Sequence, residues 1–137
     1  MILLDLNVVL DVLQAREPHY RASATVLERV MQRRVEAVMA GHAMTTVHYL
    51  VARYRDQKAA QDVVDLLLRH FAIASVGREQ LLRARNLGWL DFEDAVVAAA
   101  AESAGCSHIV SRNIRDFADS PVRAVTPEEY LLSIAPG

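Results

Sequence analysis

The sequence predicts an α/β domain built on a mainly parallel sheet with helices on both faces. Three observations carry this. Short apolar runs ("MILLD", "VEAVMA", "AIASV", "SHIVS", "VRAV") alternate along the chain with longer segments of helical periodicity. The runs read as buried strands, as expected of a parallel sheet covered on both faces. No linker, repeat or low-complexity stretch interrupts the 137 residues, so residues 1–137 read as a single domain.

Each element has its own signal. "MILLD" is a short strand. Asn7 can cap a helix carrying Val8, Val9, Val12 and Leu13. "HYRASATVLERVMQRR" places Ala22, Val26 and Val30 at helical spacing, with Arg33 and Arg34 in the last turn. The strand "VEAVMA" follows. "AMTTVHYLVARYR" and "AAQDVVDLLLRHF" form two helices split near Asp56, and "AIASV" is the next strand. "REQLLRARNLG" is a helix stopped by Gly88. "DFEDAVVAAAAESAG" is the clearest helix, with Asp91 as N-cap, Asp94 at the third helical position and Gly105 as the stop. The strands "SHIVS" and "VRAV" come next. The last helix, "TPEEYLLSI", has Thr126 as cap, Pro127 at its first position and Glu129 three residues after the cap.

Composition narrows the function. The chain is 53% hydrophobic with a mean hydropathy of +0.13, enough to bury a core. Its longest apolar runs are too short to span a bilayer, and "LLDLNVVLDVL" lacks a basic leader, so a soluble, cytoplasmic protein is expected, with no membrane partner. Cys106 is the only cysteine, which excludes an internal disulfide and a cysteine zinc cluster. His19, His42, His48, His70 and His108 show no paired metal-ligand spacing. The net charge of −2 does not point to nucleic acid. Fourteen of the fifteen basic residues are Arg, which suits bidentate phosphate contact and equally reflects an Ala- and Arg-rich composition.

Right-handed crossovers would place all strand C-termini on one edge, where open α/β sheets bind their ligands. Asp5 and Asn7 follow the first strand. Asp91 and Asp94 open the helix before "SHIVS". Ser111, Asn113 and Asp116 follow that strand. Carboxylates from three distant segments can therefore converge. Oxygen ligands of this kind suit a hard cation, Mg²⁺ or Mn²⁺. Such a cation can bind a phosphate oxygen, position a water and lower its pKa, which is the chemistry of phosphodiester or phosphoryl hydrolysis.

Each residue also has a structural duty to weigh. Asp91 and Asn7 can be caps, Glu93 and Asp94 favourable charges at a helix N-terminus, and Asp116 the start of an Asx-turn. Asp11 is expected on a helix surface or beside a local Arg. Asp5, closing an apolar strand, has no local structural duty.

"LLDLNVVLDVL", "DFEDAVVAAAAESAGCSHIVSRNIRDF" and "PVRAVTPEEYL" together resemble the PIN-domain family, in the branch close to VapC-like toxins. The likeness runs from Met1 to Ile134 and is weakest between Arg53 and Arg85. The resemblance implies a PIN-like three-layer sandwich, a mainly parallel sheet of about five strands between helices. It implies an acidic pocket holding Mg²⁺ or Mn²⁺, and endoribonuclease activity on RNA. It implies a toxin held by a cognate antitoxin, and a homodimer. The family's metal-binding, catalytic acids map onto Asp5, Asp94 and Asp116. Asn7 matches the family's Asn after the first acid, and Asn113 a position that is Asn or Asp. Asn7, Asn113 and Asp91 would orient ligands or water. Arg112 and Arg115 would contact RNA phosphates or stand as solvated turn charges.

Two positions depart from the family. Leu6 stands where members carry a Ser or Thr supporting the carboxylates. "GHAMTTVHYL" has no acid where many carry a Glu, and His48 or Tyr49 occupies that place. His48 is a replacement ligand or a partly buried helix histidine. These departures motivate an alternative, a catalytically weak binding module on the same fold acting through partners or dimerisation. A phosphatase of the haloacid dehalogenase type needs an acid where Asn7 stands. A phosphoacceptor receiver domain needs a lysine that Lys58, in a helix, does not supply.

Overall fold

The computed structural model describes residues 1–134. Five strands form one parallel sheet: β1 (Ile2–Leu4), β2 (Ala37–Ala40), β3 (Ala72–Ala74), β4 (His108–Val110) and β5 (Arg123–Val125). Their order is β3-β2-β1-β4-β5, with Leu3 opposite Val38 on one side and Ile109 on the other. The chain moves outward from β1 in one direction through β2 and β3, then returns to β4 and β5 on the other. The switch in direction lies between β1 and β4, where a parallel sheet opens a crevice at its C-terminal edge.

Among the described residues, seven helices surround the sheet: α1 (Leu6–Leu13), α2 (Tyr20–Met31), α3 (Gly41–Tyr54), α4 (Gln57–His70), α5 (Arg78–Leu87), α6 (Phe92–Ser103) and α7 (Pro127–Ser133). Alternation along β1 sorts them. Ile2 and Leu4 face a core made with α1, α2, α3, α4 and α7. Leu3 faces the other core, made with α6 and with Phe117. The unbroken Ala and Val run of α6 explains its place. Residues 95–101 are all buried, because α6 lies between the sheet and α5, which covers it through Ala84.

Most expected boundaries hold within a residue or two. Asp91 caps α6, Thr126 caps α7 in a reciprocal box with Glu129, and Gly88 ends α5 at φ +71°. Three local readings change. Asp5, not Asn7, caps α1: its carboxylate accepts from the Leu6 N–H at 2.8 Å. That frees the Asn7 side chain, inside the helix, for contacts across the sheet edge. Arg33 and Arg34 lie beyond α2 rather than in its last turn, because the chain turns at Arg33 with φ +60°. The "NIRDF" stretch contains a 3-10 turn, Ile114–Phe117, whose Phe117 is buried against α6.

Candidate active site

Parallel strands deliver their C-terminal residues to one edge, and the site is built there. Asp5 leaves β1, and its backbone N–H still donates to Val110 O of β4 at 2.9 Å. Ser111 leaves β4 and is fully buried. Its hydroxyl donates to Asp5 Oδ2 at 2.8 Å, across the β1–β4 switch point. The same oxygen accepts from Asn7 Nδ2 and from the Asn113 backbone N–H, both at 3.2 Å. Asn7 Oδ1 in turn accepts from the Arg112 N–H at 3.2 Å. A hydroxyl has one proton and two lone pairs, and here all three are used. Ser111 thus supplies the hydroxyl that Leu6 does not.

Asp91, Asp94 and Asp116 reach the edge from α6 and the 3-10 turn. They line a cleft of about 370 Å³ together with Trp89, Leu90 and Arg115. Asp91 caps α6 by accepting from the Asp94 N–H at 3.0 Å. Burial, and then the charges of Asp91, Asp5 and Asp116, push the Asp94 carboxyl up from 3.8 to about 7. Burial also raises Asp5, opposed by the bonds from Ser111 and Leu6, with Glu93 adding to the rise and His42 reducing it. Asp94 therefore feels the charges of both other expected acids, which come from segments far apart in sequence.

Among the described residues, no three His, Cys, Asp or Glu side chains stand close enough to form a ready-made metal cage. The donor set is nevertheless oxygen-rich and carries more negative charge than its neighbours balance. That combination fits a hydrated cation such as Mg²⁺, which is held through one or two carboxylates and keeps several waters.

The remaining expected residues divide. Asn7 orients Ser111 through its side chain, whereas Asn113 does so through its backbone and leaves its side chain exposed. Arg115 borders the carboxylate cleft. Arg112 does not: its Nε lies 3.5 Å from Asp11 Oδ2, and the two line a different cleft. Asp11 stands beside a local Arg, Arg16 at 3.8 Å, as one of its two expected settings had it, and is fully buried rather than on a helix surface. His48 is half-buried in the middle of α3, and the histidine whose charge acts on Asp5 is His42, in the first turn of α3. In the sequence Ser111 stands at this edge without a role, His42 has no assignment, and Glu93 reads only as a helix N-terminal charge. The signal for the first two was position, since each stands within two residues of the end of a strand, as Asp5 does.

The PIN-domain family profile matches residues 1–115. The chain belongs to the PIN-domain family. Ribonuclease VapC1 of Aquifex aeolicus (strain VF5) is 23% identical over 133 residues, covering 94% of this chain and 92% of that protein. A toxin–antitoxin complex from Klebsiella pneumoniae superposes with a TM-score of 0.71 at 21% identity, covering 93% of this chain and 98% of that one. VapC20 of Mycobacterium tuberculosis, a toxin that cleaves the sarcin–ricin loop, gives 0.63 at 14% identity, covering 80% and 87%. The two solved structures share the fold of this chain.

Proposed function

We propose that the protein is a divalent-metal-dependent endoribonuclease acting as the toxin of a toxin–antitoxin pair. The observation that carries this is the acidic edge at the β1–β4 switch point, where burial, and then the charges of Asp91, Asp5 and Asp116, push the Asp94 carboxyl up to about 7. The similarity to ribonuclease VapC1 supports the substrate class. The toxin–antitoxin complex of Klebsiella pneumoniae, and the VapBC structures of Rickettsia felis and Haemophilus influenzae with which this chain shares its fold, support an antitoxin partner.

In this reading Asp5, Asp94 and Asp116 hold Mg²⁺ or Mn²⁺. When bound, the cation polarises a phosphodiester oxygen and lowers the pKa of water. The chain's own residues do the rest. Ser111 and the Leu6 N–H fix the rotamer of Asp5 and favour its ionised form. Asp91 fixes the first turn of α6 and so the height of Asp94 above the edge. Arg115, exposed on the wall of the cleft, meets the phosphate backbone of a single strand. Self-association belongs to the same proposal, as does a cytoplasmic location, consistent with no described helix being long and apolar enough to cross a membrane.

A catalytically weak binding module is the second reading, favoured by the lack of any acid on α3. Incubation with single-stranded RNA separates the two. Cleavage that needs Mg²⁺ or Mn²⁺, stops with EDTA and is absent in Asp5→Asn supports the nuclease. Equal cleavage by wild type and Asp5→Asn sinks it.

A further inference from the structure

Asp11 is a carboxylate with no exposure, one turn after Asn7 on the same face of α1. One residue engages both. The Arg112 backbone N–H donates to Asn7 Oδ1 at 3.2 Å, while its guanidinium Nε lies 3.5 Å from Asp11 Oδ2. Arg16 Nη1 stands 3.8 Å from Asp11 Oδ1, and Ser23 Oγ is 3.5 Å from Oδ2. Neither Asp11 Oδ1 nor Arg112 Nε has a hydrogen-bond partner, so the contact is ionic rather than an aligned hydrogen bond. A carboxylate removed from water is tolerated when charges of opposite sign surround it, and two guanidiniums do so here. The Asp11 and Arg112 side chains do not line the carboxylate cleft. Asp11 and Arg112 line a separate cleft of about 260 Å³ with His19 and Ser23.

We propose that the Asp11–Arg112 pair is a positioning device: it clamps the turn after β4 onto α1 and, through Asn7 and Ser111, holds the Asp5 carboxylate in place. The path is continuous in contacts. Arg112 grips α1 at two points one helical turn apart, its backbone on Asn7 and its side chain on Asp11. Asn7 Nδ2 and the Asn113 N–H then fix the Ser111 oxygen, leaving the hydroxyl proton a single direction, toward Asp5 Oδ2. Arg112 is therefore a positioning residue and not an RNA contact, with its charge turned inward to a buried partner. Arg16 keeps Asp11 compensated when Arg112 is replaced, so the fold survives the substitution. The functional consequence rests on the reading of Asp5 as a metal-holding carboxylate; the clamp itself does not.

Two measurements test it. Amide hydrogen exchange in metal-free protein reads the clamp. Arg112→Ala speeds exchange at positions 112 and 113 by on the order of 10-fold, since loops released from such contacts open locally. The Ser111 N–H, bonded to Val125 O at 3.0 Å, keeps its protection. Unchanged exchange at 112 and 113 overturns the proposal. Should Arg112→Ala loosen the sheet as a whole, Asp11→Asn and Arg112→Lys take its place, with the same pattern expected in weaker form. Mn²⁺ calorimetry reads the relay. Arg112→Ala weakens binding about 10-fold, the scale of a lost orienting contact behind a ligand, and Arg112→Lys restores part of it. In a Ser111→Ala background the same substitution has no further effect, because both act through one hydroxyl. Additive losses overturn the relay. Absence of Mn²⁺ binding by the wild type would instead refute the nuclease reading, with the exchange experiment still deciding the clamp.

Discussion

Replacing Asp94 with Asn is expected to stabilise the metal-free protein at neutral and alkaline pH, while abolishing its response to divalent cations. Burial and the carboxylates of Asp91, Asp5 and Asp116 raise the Asp94 pKa from 3.8 to about 7. An acid whose pKa is higher in the folded state binds its proton more tightly there. The stability it contributes is fully present below about pH 4 and is lost as pH rises through about 7. At about 1.4 kcal/mol per pH unit, the ceiling is about 4 kcal/mol. Asp94 is partly solvated, and screening reduces this to about 1–2 kcal/mol. For a chain of this size that corresponds to about 3–8 °C in Tm. Scanning calorimetry in EDTA from pH 5 to 9 measures it. The wild-type Tm should fall relative to Asp94→Asn as pH rises toward 8, and Mg²⁺ should raise the wild-type value alone. Parallel curves for the two proteins would refute the carboxylate crowding on which the site rests.

Ser111→Ala removes the 2.8 Å bond to Asp5 and strands two donors, costing about 1–3 kcal/mol in denaturant unfolding. It also moves the pH dependence of Mn²⁺ binding upward, because that bond lowers the Asp5 pKa. His42→Ala shifts the same profile in the same direction, since the His42 charge lowers Asp5; an unmoved profile contradicts a role for His42. Ile109→Ala, at a fully buried position in β4, costs about 2–5 kcal/mol. Arg83→Ala breaks an exposed pair with Glu102 and costs less than about 1 kcal/mol, so a loss as large as that of Ile109→Ala would contradict the layer assignment.

The strands and most helix ends were legible because their signals are local. A buried strand is an apolar run, and caps such as Asp91, Thr126 and Gly88 act within four residues. The parallel sheet followed from the alternation of elements. The internal wiring of the site was not legible, because it depends on register between strands. β1 and β4 lie over a hundred residues apart in sequence, and only their pairing brings Ser111 to Asp5. Asn7 reads in sequence both as a cap and as an orienting group, because the two duties share one residue type at a helix start. Asp5 turned out to do the capping while also closing the strand. In sequence Asp11 reads as a helix-surface charge or the neighbour of a local Arg, and Arg112 as a phosphate contact or a turn charge; neither reading pairs the two. Their pairing is invisible in sequence because the burial that requires it is a property of three elements packed together. His48 stands where the resemblance expects an acid, whereas His42, at the strand end, is where the sheet edge presents a side chain.

The central claim is that carboxylates from three segments together hold one divalent cation. Mn²⁺ calorimetry on the wild type and on Asp5→Asn, Asp94→Asn and Asp116→Asn tests it most directly. One binding site in the wild type, lost or weakened at least about tenfold in each variant, is the predicted result. Unchanged affinity in all three variants, with their folds intact, would contradict it.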